Sequence, residues 1–361
     1  MSSTYGENIK ISVFGESHGG GIGVVIDGLP AGETIDFDAV LTQMARRAPG
    51  RDKTATPRRE SDLPQVLSGL LGNTLTGAPL CAVIQNTNTR SGDYGNLLDC
   101  PRPAHSDYTA YIKYKGANDI RGGGHFSGRL TAPLVFAGAV CRQLLNKRGV
   151  RIAAHIASIG AARDSRFCPT AIDADLMDRL SRSSFALIDE TAEEAIRAEV
   201  ERARLDGDSV GGTVECAVTG LPAGIGEPMF DGAEGAIAKI IFGIPAVKGL
   251  EFGAGFDLAA MRGSEANDAF RYADGRVVTE TNHCGGILGG ITDGMPLIFR
   301  AAFKPTPSIA QEQRTVNLQT GANTTLTVKG RHDPCIVPRA VPVVEAAAAV
   351  ALADLMKGSG I

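Results

Sequence analysis

A strand-and-turn unit occurs twice in this chain. Residues 19–32, GGGIGVVIDGLPAG, align without gaps to residues 211–224, GGTVECAVTGLPAG, with seven identities in fourteen positions. Each copy is a strand-like run that ends in the turn Gly-Leu-Pro-Ala-Gly, and a helix-like segment follows each one. The pattern predicts a duplicated strand–turn–helix unit at 19–48 and 211–242, and two related halves within a single domain spanning 1–361.

The remaining periodic segments indicate the fold class. Strand-like runs lie at 9–14, 79–84, 151–159, 213–219, 294–303 and 324–329, and further helix-like segments lie at 131–147, 191–205 and 342–356. Because the two kinds of segment do not alternate regularly, the pattern disfavours a doubly wound or barrel-type parallel sheet. We therefore expect an α+β fold. Thr191 and Glu194 have the spacing of a capping box at the start of the 191–205 helix.

Composition and charge exclude several classes of protein. The net charge of −4 argues against a nucleic-acid binder. The seven cysteines are scattered and form no C-x-x-C pair, which favours reduced thiols and argues against a metal site. There is no basic-then-apolar segment at the N-terminus and no apolar run of about 18 residues. We expect a cytoplasmic protein that does not enter the membrane.

Residues 15–19, GESHG, match the G-x-S-x-G pattern of a hydrolase nucleophile elbow. Such an elbow follows several strands of its sheet, whereas a single strand can precede Gly15 here. A serine hydrolase that uses Ser17 is therefore a minor alternative. The glycine-rich fingerprints of dinucleotide-binding and P-loop proteins do not occur.

Three long segments have no clear periodicity, at 45–62, 85–129 and 304–339 apart from one strand. The first contains six cations in fourteen residues: Arg46, Arg47, Arg51, Lys53, Arg58 and Arg59. Guanidinium groups match carboxylate and phosphate, so this concentration on an acidic chain predicts a small polyanionic ligand. As loop cations, these residues are expected to contribute to anion binding and little to stability.

Four of the six histidines lie in these loops or in glycine-rich segments. They are His18, His105, His125 and His332. None has metal-ligand spacing, and their surroundings are compatible with general acid–base chemistry. His155 lies in an apolar run and is expected to be a core residue with satisfied hydrogen bonds.

Six motifs, in order along the whole chain, resemble those of the chorismate synthase family. They are FGESHG (14–19), RPAHSDY (102–108), RGGGHFSGRLTA (121–132), GGILGGITDGMP (285–296), KPTPSI (304–309) and GRHDPC (330–335). The resemblance implies a sandwich of helices between antiparallel sheets, usually a homotetramer. It also implies a lyase of the shikimate pathway, in aromatic amino acid biosynthesis. This enzyme eliminates phosphate and a ring proton from 5-enolpyruvylshikimate 3-phosphate to give chorismate, and it requires reduced FMN without net redox change.

The same resemblance implies roles for individual residues. His18 would protonate or stabilise the flavin, His105 would act as general acid toward the phosphate, and Asp333 would help take the ring proton. Arg47, Lys53, Arg121 and Arg129 would bind the anions of the substrate or of NADP. The implied flavin contacts are His125, Phe126, Ser127, Pro245, Ala246, Gly289, Lys304, Pro305, Thr306, Pro307, Ser308 and Arg331.

Two positions depart from the family pattern. His125-Phe126-Ser127 stands where many members have Arg-Ser-Ser, and Leu130 stands where many have glutamate. These changes together predict a rearranged flavin contact. A non-catalytic binder of phosphorylated anions is a further alternative. The sequence leaves open whether NADPH reduces the flavin on this protein or an external flavin reductase does so, and whether the assembly is a dimer or a tetramer.

Overall fold

Two five-stranded antiparallel sheets form the outer layers of the fold. The computed structural model describes residues 3–49, 62–87, 97, 99–328 and 333–360. The first sheet comprises, in spatial order, β1 (Thr4–Tyr5), β2 (Lys10–Gly15), β3 (Gly21–Asp27), β7 (Leu80–Gln85) and β4 (Gln65–Ser68). The second comprises β9 (Ala162–Arg163), β8 (Arg151–Ile159), β10 (Gly212–Thr219), β16 (Leu297–Phe303) and β11 (Val247–Phe252). We call residues up to 150 the N-terminal half and the rest the C-terminal half.

The other elements are small hairpins and helices. The hairpins are β5 (Leu70–Leu71) with β6 (Thr74–Leu75), β12 (Phe270–Ala273) with β13 (Arg276–Thr279), β14 (Ile287–Leu288) with β15 (Ile291–Thr292), and β17 (Glu312–Asn317) with β18 (Ala322–Thr327). The helices are α1 (Phe37–Arg47), α2 (Asp107–Tyr114), α3 (Thr131–Asn146), α4 (Ala174–Arg182), α5 (Glu193–Leu205), α6 (Ala233–Ile241), α7 (Gly263–Ala266) and α8 (Val337–Gly358).

Two apolar helices fill the space between the sheets. α3 packs on β2, β3 and β7 of the first sheet, whereas α8 packs on β8 and β10 of the second. Both helices are buried on nearly all sides, as expected for helices that are apolar all round. They cross closely at Gly138, where an added Cβ would lie 2.3 Å from Cα of Ala346. The expected α+β sandwich, with helices between antiparallel sheets, is confirmed.

The two copies of the repeat occupy equivalent places. β3 and β10 each lie third in their sheet, with antiparallel neighbours on both sides. Gly28 and Gly220, which open the two turns, have φ angles of +86° and +79°, and an added Cβ would approach a backbone oxygen to 2.1 and 2.2 Å. Both turns therefore require glycine at this position, because φ is positive and because a side chain would collide with a backbone oxygen.

Several local sequence predictions are corrected by tertiary structure. α8 begins at Val337 and not near Pro342, so that Pro342 lies inside the helix. The capping box at Thr191 is not formed, because the carboxylate of Asp189 accepts a hydrogen bond from the Thr191 amide and α5 begins at Glu193. The 324–329 strand ends at Thr327 and pairs with β17, a strand that the sequence pattern did not indicate.

His155 is confirmed as a core residue. Its ring is fully buried, with Nδ1 2.8 Å from Oδ2 of Asp164 and Nε2 3.1 Å from Oε2 of Glu215. Burial acts against the charged ring, but the two carboxylates raise the pKa of His155. Over the part of the chain that the structure describes, no helix has the length and apolar character needed to cross a membrane.

Candidate active site

A cavity of about 900 Å³ lies where loops of the two halves meet. The N-terminal half contributes wall residues from 102–106 and 122–131, and the C-terminal half contributes wall residues from 243–248, 304–308 and 333–343. Strand β1 adds a further part of the wall. The volume is near the upper end of the roughly 300–1,000 Å³ that is typical of small-molecule sites. This cavity is therefore the candidate ligand site.

Thirteen of the predicted site residues line this cavity. They are Arg47, His105, His125, Phe126, Ser127, Arg129, Pro245, Ala246, Lys304, Thr306, Pro307, Ser308 and Asp333. Four others, His18, Arg121, Gly289 and Pro305, lie off the cavity wall in this structure. Lys53 and Arg331 lie outside the described residues, as do the loop cations at 51, 58 and 59 and His332.

His105 lies just before α2 and is held from one side by Asp107. Its Nδ1 is 2.6 Å from Oδ1 of Asp107. The Asp107 carboxylate also accepts two hydrogen bonds from the guanidinium of Arg102, at 2.7 and 2.9 Å, and one from the Arg102 amide at 3.0 Å. Arg102 extends the connection to the C-terminal half, because its Nη1 donates to Oγ of Ser308 at 3.1 Å. The same Nδ1 lies 3.2 Å from Nη2 of Arg102, but its shorter contact with the Asp107 carboxylate favours a proton on Nδ1, which leaves Nε2 available to a ligand.

The pKa values of this pair have clear causes. Burial lowers the pKa of His105, Arg102 and Lys304 act in the same direction, and Asp107 opposes them. Burial alone would raise the pKa of Asp107, but hydrogen bonds from Arg102 and His105 bring it well below its usual range. The pair is therefore a neutral imidazole beside a carboxylate at neutral pH. An anionic ligand in the cavity would favour protonation of the ring.

A glycine turn separates His18 from the cavity. Gly122 has φ +61° and lines the cavity, and an added Cβ there would lie 2.2 Å from Nδ1 of His18. At Gly123, with φ +84°, an added Cβ would lie 3.4 Å from Nε2 of His105. The two histidines therefore lie beside neighbouring glycines of one turn. Ser17 is buried beside His18 and does not line the cavity, which gives no support to the hydrolase alternative.

Arg47 and Arg129 are buried around one carboxylate. Asp62 accepts from Nη1 of Arg47 at 2.6 Å and forms a close ion pair with Arg129. Arg129 also donates to Oδ1 of Asn86 at 3.0 Å, and Asn86 in turn donates to the backbone oxygens of residues 16 and 19. Burial lowers the pKa of Arg47 to about 10, so the group stays charged at neutral pH. Arg47 is thus a buried residue at the end of α1 and not a loop cation, and this position predicts that it contributes to stability.

The opposite wall of the cavity carries lysines and the 304–308 loop. Lys248 and Lys304 both face the cavity, and the pKa of Lys304 is lowered by burial and by the charge of Lys248. The Lys304 amide donates to the backbone oxygen of Ala246 at 3.0 Å, and Thr306 Oγ1 donates to the backbone oxygen of Asp333 at 3.0 Å. These bonds bring three separate predicted segments, 245–246, 304–308 and 333, into one wall.

His125 is tied to the start of the chain. Its Nδ1 donates to the backbone oxygen of Gly15 at 2.8 Å, and its Nε2 lies 2.7 Å from Oγ of Ser3. Phe126 stays partly exposed at the cavity, with its ring 6.3 Å from that of Tyr114. Leu130, the other departure from the family pattern, is buried against the core and also lines the cavity.

Sequence reasoning missed three residues that organise the site: Asp62, Asn86 and Asp107. Asp107 could have been found, because it lies two residues after His105 in RPAHSDY. Asp62 and Asn86 carry no local signal, since their importance depends on arginines that are distant in the sequence.

Known proteins resemble this chain over nearly its whole length. The family model described as chorismate synthase matches residues 9–356. A chorismate synthase of Dehalococcoides mccartyi strain BAV1 is 48% identical over 361 residues, covering 100% of this chain and 98% of that protein. One of Thermococcus kodakarensis is 47% identical over 349 residues, covering 97% and 96%. A crystal structure of chorismate synthase superposes with a TM-score of 0.76 at 25% identity, covering 98% of this chain and 93% of the other.

Proposed function

The chain belongs to the chorismate synthase family. From that premise we propose that the protein catalyses, in this cavity, the elimination of phosphate from 5-enolpyruvylshikimate 3-phosphate. The product is chorismate, and the reaction is that of a carbon–oxygen lyase in the shikimate pathway. The observation that carries the proposal is that one cavity brings together His105, Asp333 and cations from both halves of the chain.

The charges of the cavity match those of the substrate. The substrate has two carboxylates and a phosphate, and Arg129, Lys248 and Lys304 all line the cavity. Arginine pairs bidentately with such groups, whereas lysine acts as a point charge. We assign substrate binding to these residues together with Arg47, and we keep Arg121 and Lys53 as proposed contacts to substrate or NADP.

The cavity also fits reduced FMN. Its volume of about 900 Å³ leaves room for a second molecule beside a small substrate, and Phe126, Lys248 and Lys304 on its wall suit an aromatic ring and a phosphate. The residues that would hold the flavin are 125–127, 245–246 and 304–308, with Gly289 and Arg331 as further proposed contacts. When bound, reduced FMN transiently supplies an electron for cleavage of the allylic C–O bond.

The side chains of the chain have separate proposed tasks. His105 delivers a proton to the departing phosphate from Nε2, once the anionic substrate has favoured protonation of its ring. Asp333 takes the ring proton, and its carboxylate is positioned by Arg339, whose Nη1 lies 2.5 Å from Oδ2. His18, which lies on the far side of Gly122 from the cavity, would protonate or stabilise the edge of the flavin.

The assembly and the source of electrons are part of the same proposal. We propose a cytoplasmic homotetramer whose FMN is reduced by an external flavin reductase, with NADPH as the alternative direct reductant. Large apolar side chains at the surface of the C-terminal half support an assembly: Phe230, Phe256 and Tyr272 are 87%, 82% and 81% exposed. Isolated apolar residues are normal on a monomer, but several large aromatic rings favour an interface.

One anaerobic experiment tests the reaction. Phosphate release and flavin absorbance are followed together, with substrate in large excess over FMN that dithionite has reduced. Because the elimination changes no net oxidation state, many equivalents of phosphate should appear per flavin while the flavin stays reduced. Release that stops at one equivalent, or that is equally fast with oxidised FMN, would contradict the proposal. Binding of FMN and substrate without any release would favour the non-catalytic anion binder.

A further inference from the structure

Asp107, Arg102 and Ser308 form a hydrogen-bonded network next to His105. The carboxylate of Asp107 lies 2.6 Å from Nδ1 of His105 on one side and receives the guanidinium of Arg102 in two hydrogen bonds on the other. Both Arg102 and Asp107 are buried, with 6% and 7% of their surface exposed. A buried carboxylate that bridges an imidazole and a guanidinium holds the ring in one orientation.

The orientation of the His105 ring determines which of its two nitrogens faces the cavity. Nδ1 lies 2.6 Å from Oδ1 of Asp107 and, less closely, 3.2 Å from Nη2 of Arg102, whereas Nε2 faces the 122–124 turn that borders the cavity. A neutral imidazole carries one proton, and the hydrogen bond at one nitrogen decides which nitrogen holds it. With the proton on Nδ1, the free electron pair of Nε2 is directed toward the ligand side.

We propose that Asp107 is the positioning residue of His105: it fixes the proton on Nδ1 and raises the basicity of Nε2. Arg102 orients the carboxylate and, through Ser308, ties the pair to the loop at 304–308 across the boundary between the halves. This inference rests on the proposed role of His105. It extends that role to a residue that touches neither substrate nor cofactor.

The variant Asp107→Asn tests the proposal with almost no change in shape. An amide placed at the same position donates a hydrogen bond to Nδ1, which forces the proton to Nε2. We expect kcat to fall by roughly 10²-fold or more, as for the loss of a positioned general acid. The descending limb of kcat/KM should move to lower pH, because Asp107 favours the charged ring whereas burial, Arg102 and Lys304 all oppose it.

A matched control exists in the core of the same chain. Asp164 holds Nδ1 of the buried His155 at 2.8 Å, in the same carboxylate–imidazole contact but away from the cavity. Asp164→Asn should lower stability and leave kcat per folded molecule unchanged. A loss of kcat in both variants alike would overturn the proposal, since it would indicate a general structural effect.

A double-mutant cycle separates positioning from structure. If Asp107 acts through His105, then Asp107→Asn should change kcat by less than about twofold in a His105→Ala background. An equal loss in both backgrounds would overturn the proposal.

The tautomer can also be read without any turnover. The ¹⁵N chemical shifts of the His105 ring in the resting protein should report a protonated Nδ1 in the parent and a protonated Nε2 in Asp107→Asn. Unchanged shifts would overturn the proposal even if the parent is active. A parent that releases no phosphate but shows the tautomer change would contradict the proposed function and leave the positioning role intact.

Discussion

At Arg46 and Arg47, two neighbouring arginines at the end of α1 are neutralised by carboxylates from different parts of the chain. Arg46 pairs with Glu345 of α8 at 2.5 Å, and Arg47 pairs with Asp62 at 2.6 Å. Both guanidinium groups are buried. Two residues of the basic cluster seen in the sequence therefore form internal ion pairs and do not lie on a solvated surface.

Removing the Arg47 guanidinium should destabilise the protein. Arg47→Ala leaves the buried Asp62 paired with Arg129 alone, so the cost should lie between the roughly 1 kcal/mol of an exposed pair and the about 3–5 kcal/mol of a buried pair that is broken completely. Urea unfolding monitored by circular dichroism measures the change. Arg202→Ala is the control, because Arg202 makes an exposed pair with Glu199 whose loss costs at most about 1 kcal/mol. Equal effects of the two variants would contradict this account of Arg47.

The His155 cluster predicts a dependence of stability on pH. Because the pKa of His155 is raised above its usual 6.5, its contribution is complete below about pH 6.5 and is lost as the pH rises through the folded-state pKa. The pKa values of Asp164 and Glu215 are lowered, so their contribution is lost as the pH falls below about 4. The free energy of unfolding of the parent should decline on the alkaline side. In His155→Gln that decline should be weaker, and an unchanged slope would exclude His155 as its source.

At the scale of elements, the turn that closes each repeat shows what the sequence could predict. The main chain of Gly32 and Glu33 exchanges two hydrogen bonds with Leu75, both at 2.8 Å, and Gly224 and Ile225 exchange the same two with Thr292, at 2.8 and 2.9 Å. Glycine and proline impose local backbone geometry, so a repeated Gly-Leu-Pro-Ala-Gly is readable without a structure. We propose that the halves arose by duplication, since the strand orders β2-β3-β7-β4 and β8-β10-β16-β11 also correspond, although the edge strands β1 and β9 do not.

Other elements could not be predicted because distant residues determine them. β17 is a half-polar strand that forms by pairing with β18, and α8 continues through Pro342 because its surroundings bury it on nearly all sides. In the site, motif letters indicated His105 and the 304–308 loop. Asp62 and Asn86 gained their roles from arginines at 47 and 129, which the fold brings to them.

The α3–α8 crossing predicts a strong effect of one methyl group. In Gly138→Ala the new Cβ would lie 2.3 Å from Cα and Cβ of Ala346, so the helices must separate. Overpacking of this kind costs typically about 1–3 kcal/mol, measurable as a lower midpoint of thermal unfolding. Gly263→Ala is the matched control, since nothing lies within 4 Å of its added Cβ and its φ is not positive. An unchanged midpoint of thermal unfolding in Gly138→Ala would mean that the helices do not cross this closely.

For the molecule as a whole, the exposed aromatic rings predict an assembly. Sedimentation of the parent should give a species of about 150 kDa, four times the chain mass of 37.6 kDa. Replacing Phe230, Phe256 and Tyr272 together by aspartate should shift the distribution to smaller species, because charge is unfavourable in the core of an interface. Leu205→Asp, a change at a single exposed leucine of α5, should not do so. A parent that sediments at the mass of one chain would contradict the proposed tetramer.

The boundary between the halves is crossed by many specific bonds. Arg102 reaches Ser308, the guanidinium of Arg339 donates to the backbone oxygen of Arg47 at 3.1 Å, and Arg46 pairs with Glu345. A substitution at one of these residues on one side of the boundary is therefore expected to require a matching residue on the other side. A chimera that joins the N-terminal half of one relative to the C-terminal half of another can keep both sheets and still lose its cavity, unless these contacts across the junction are matched.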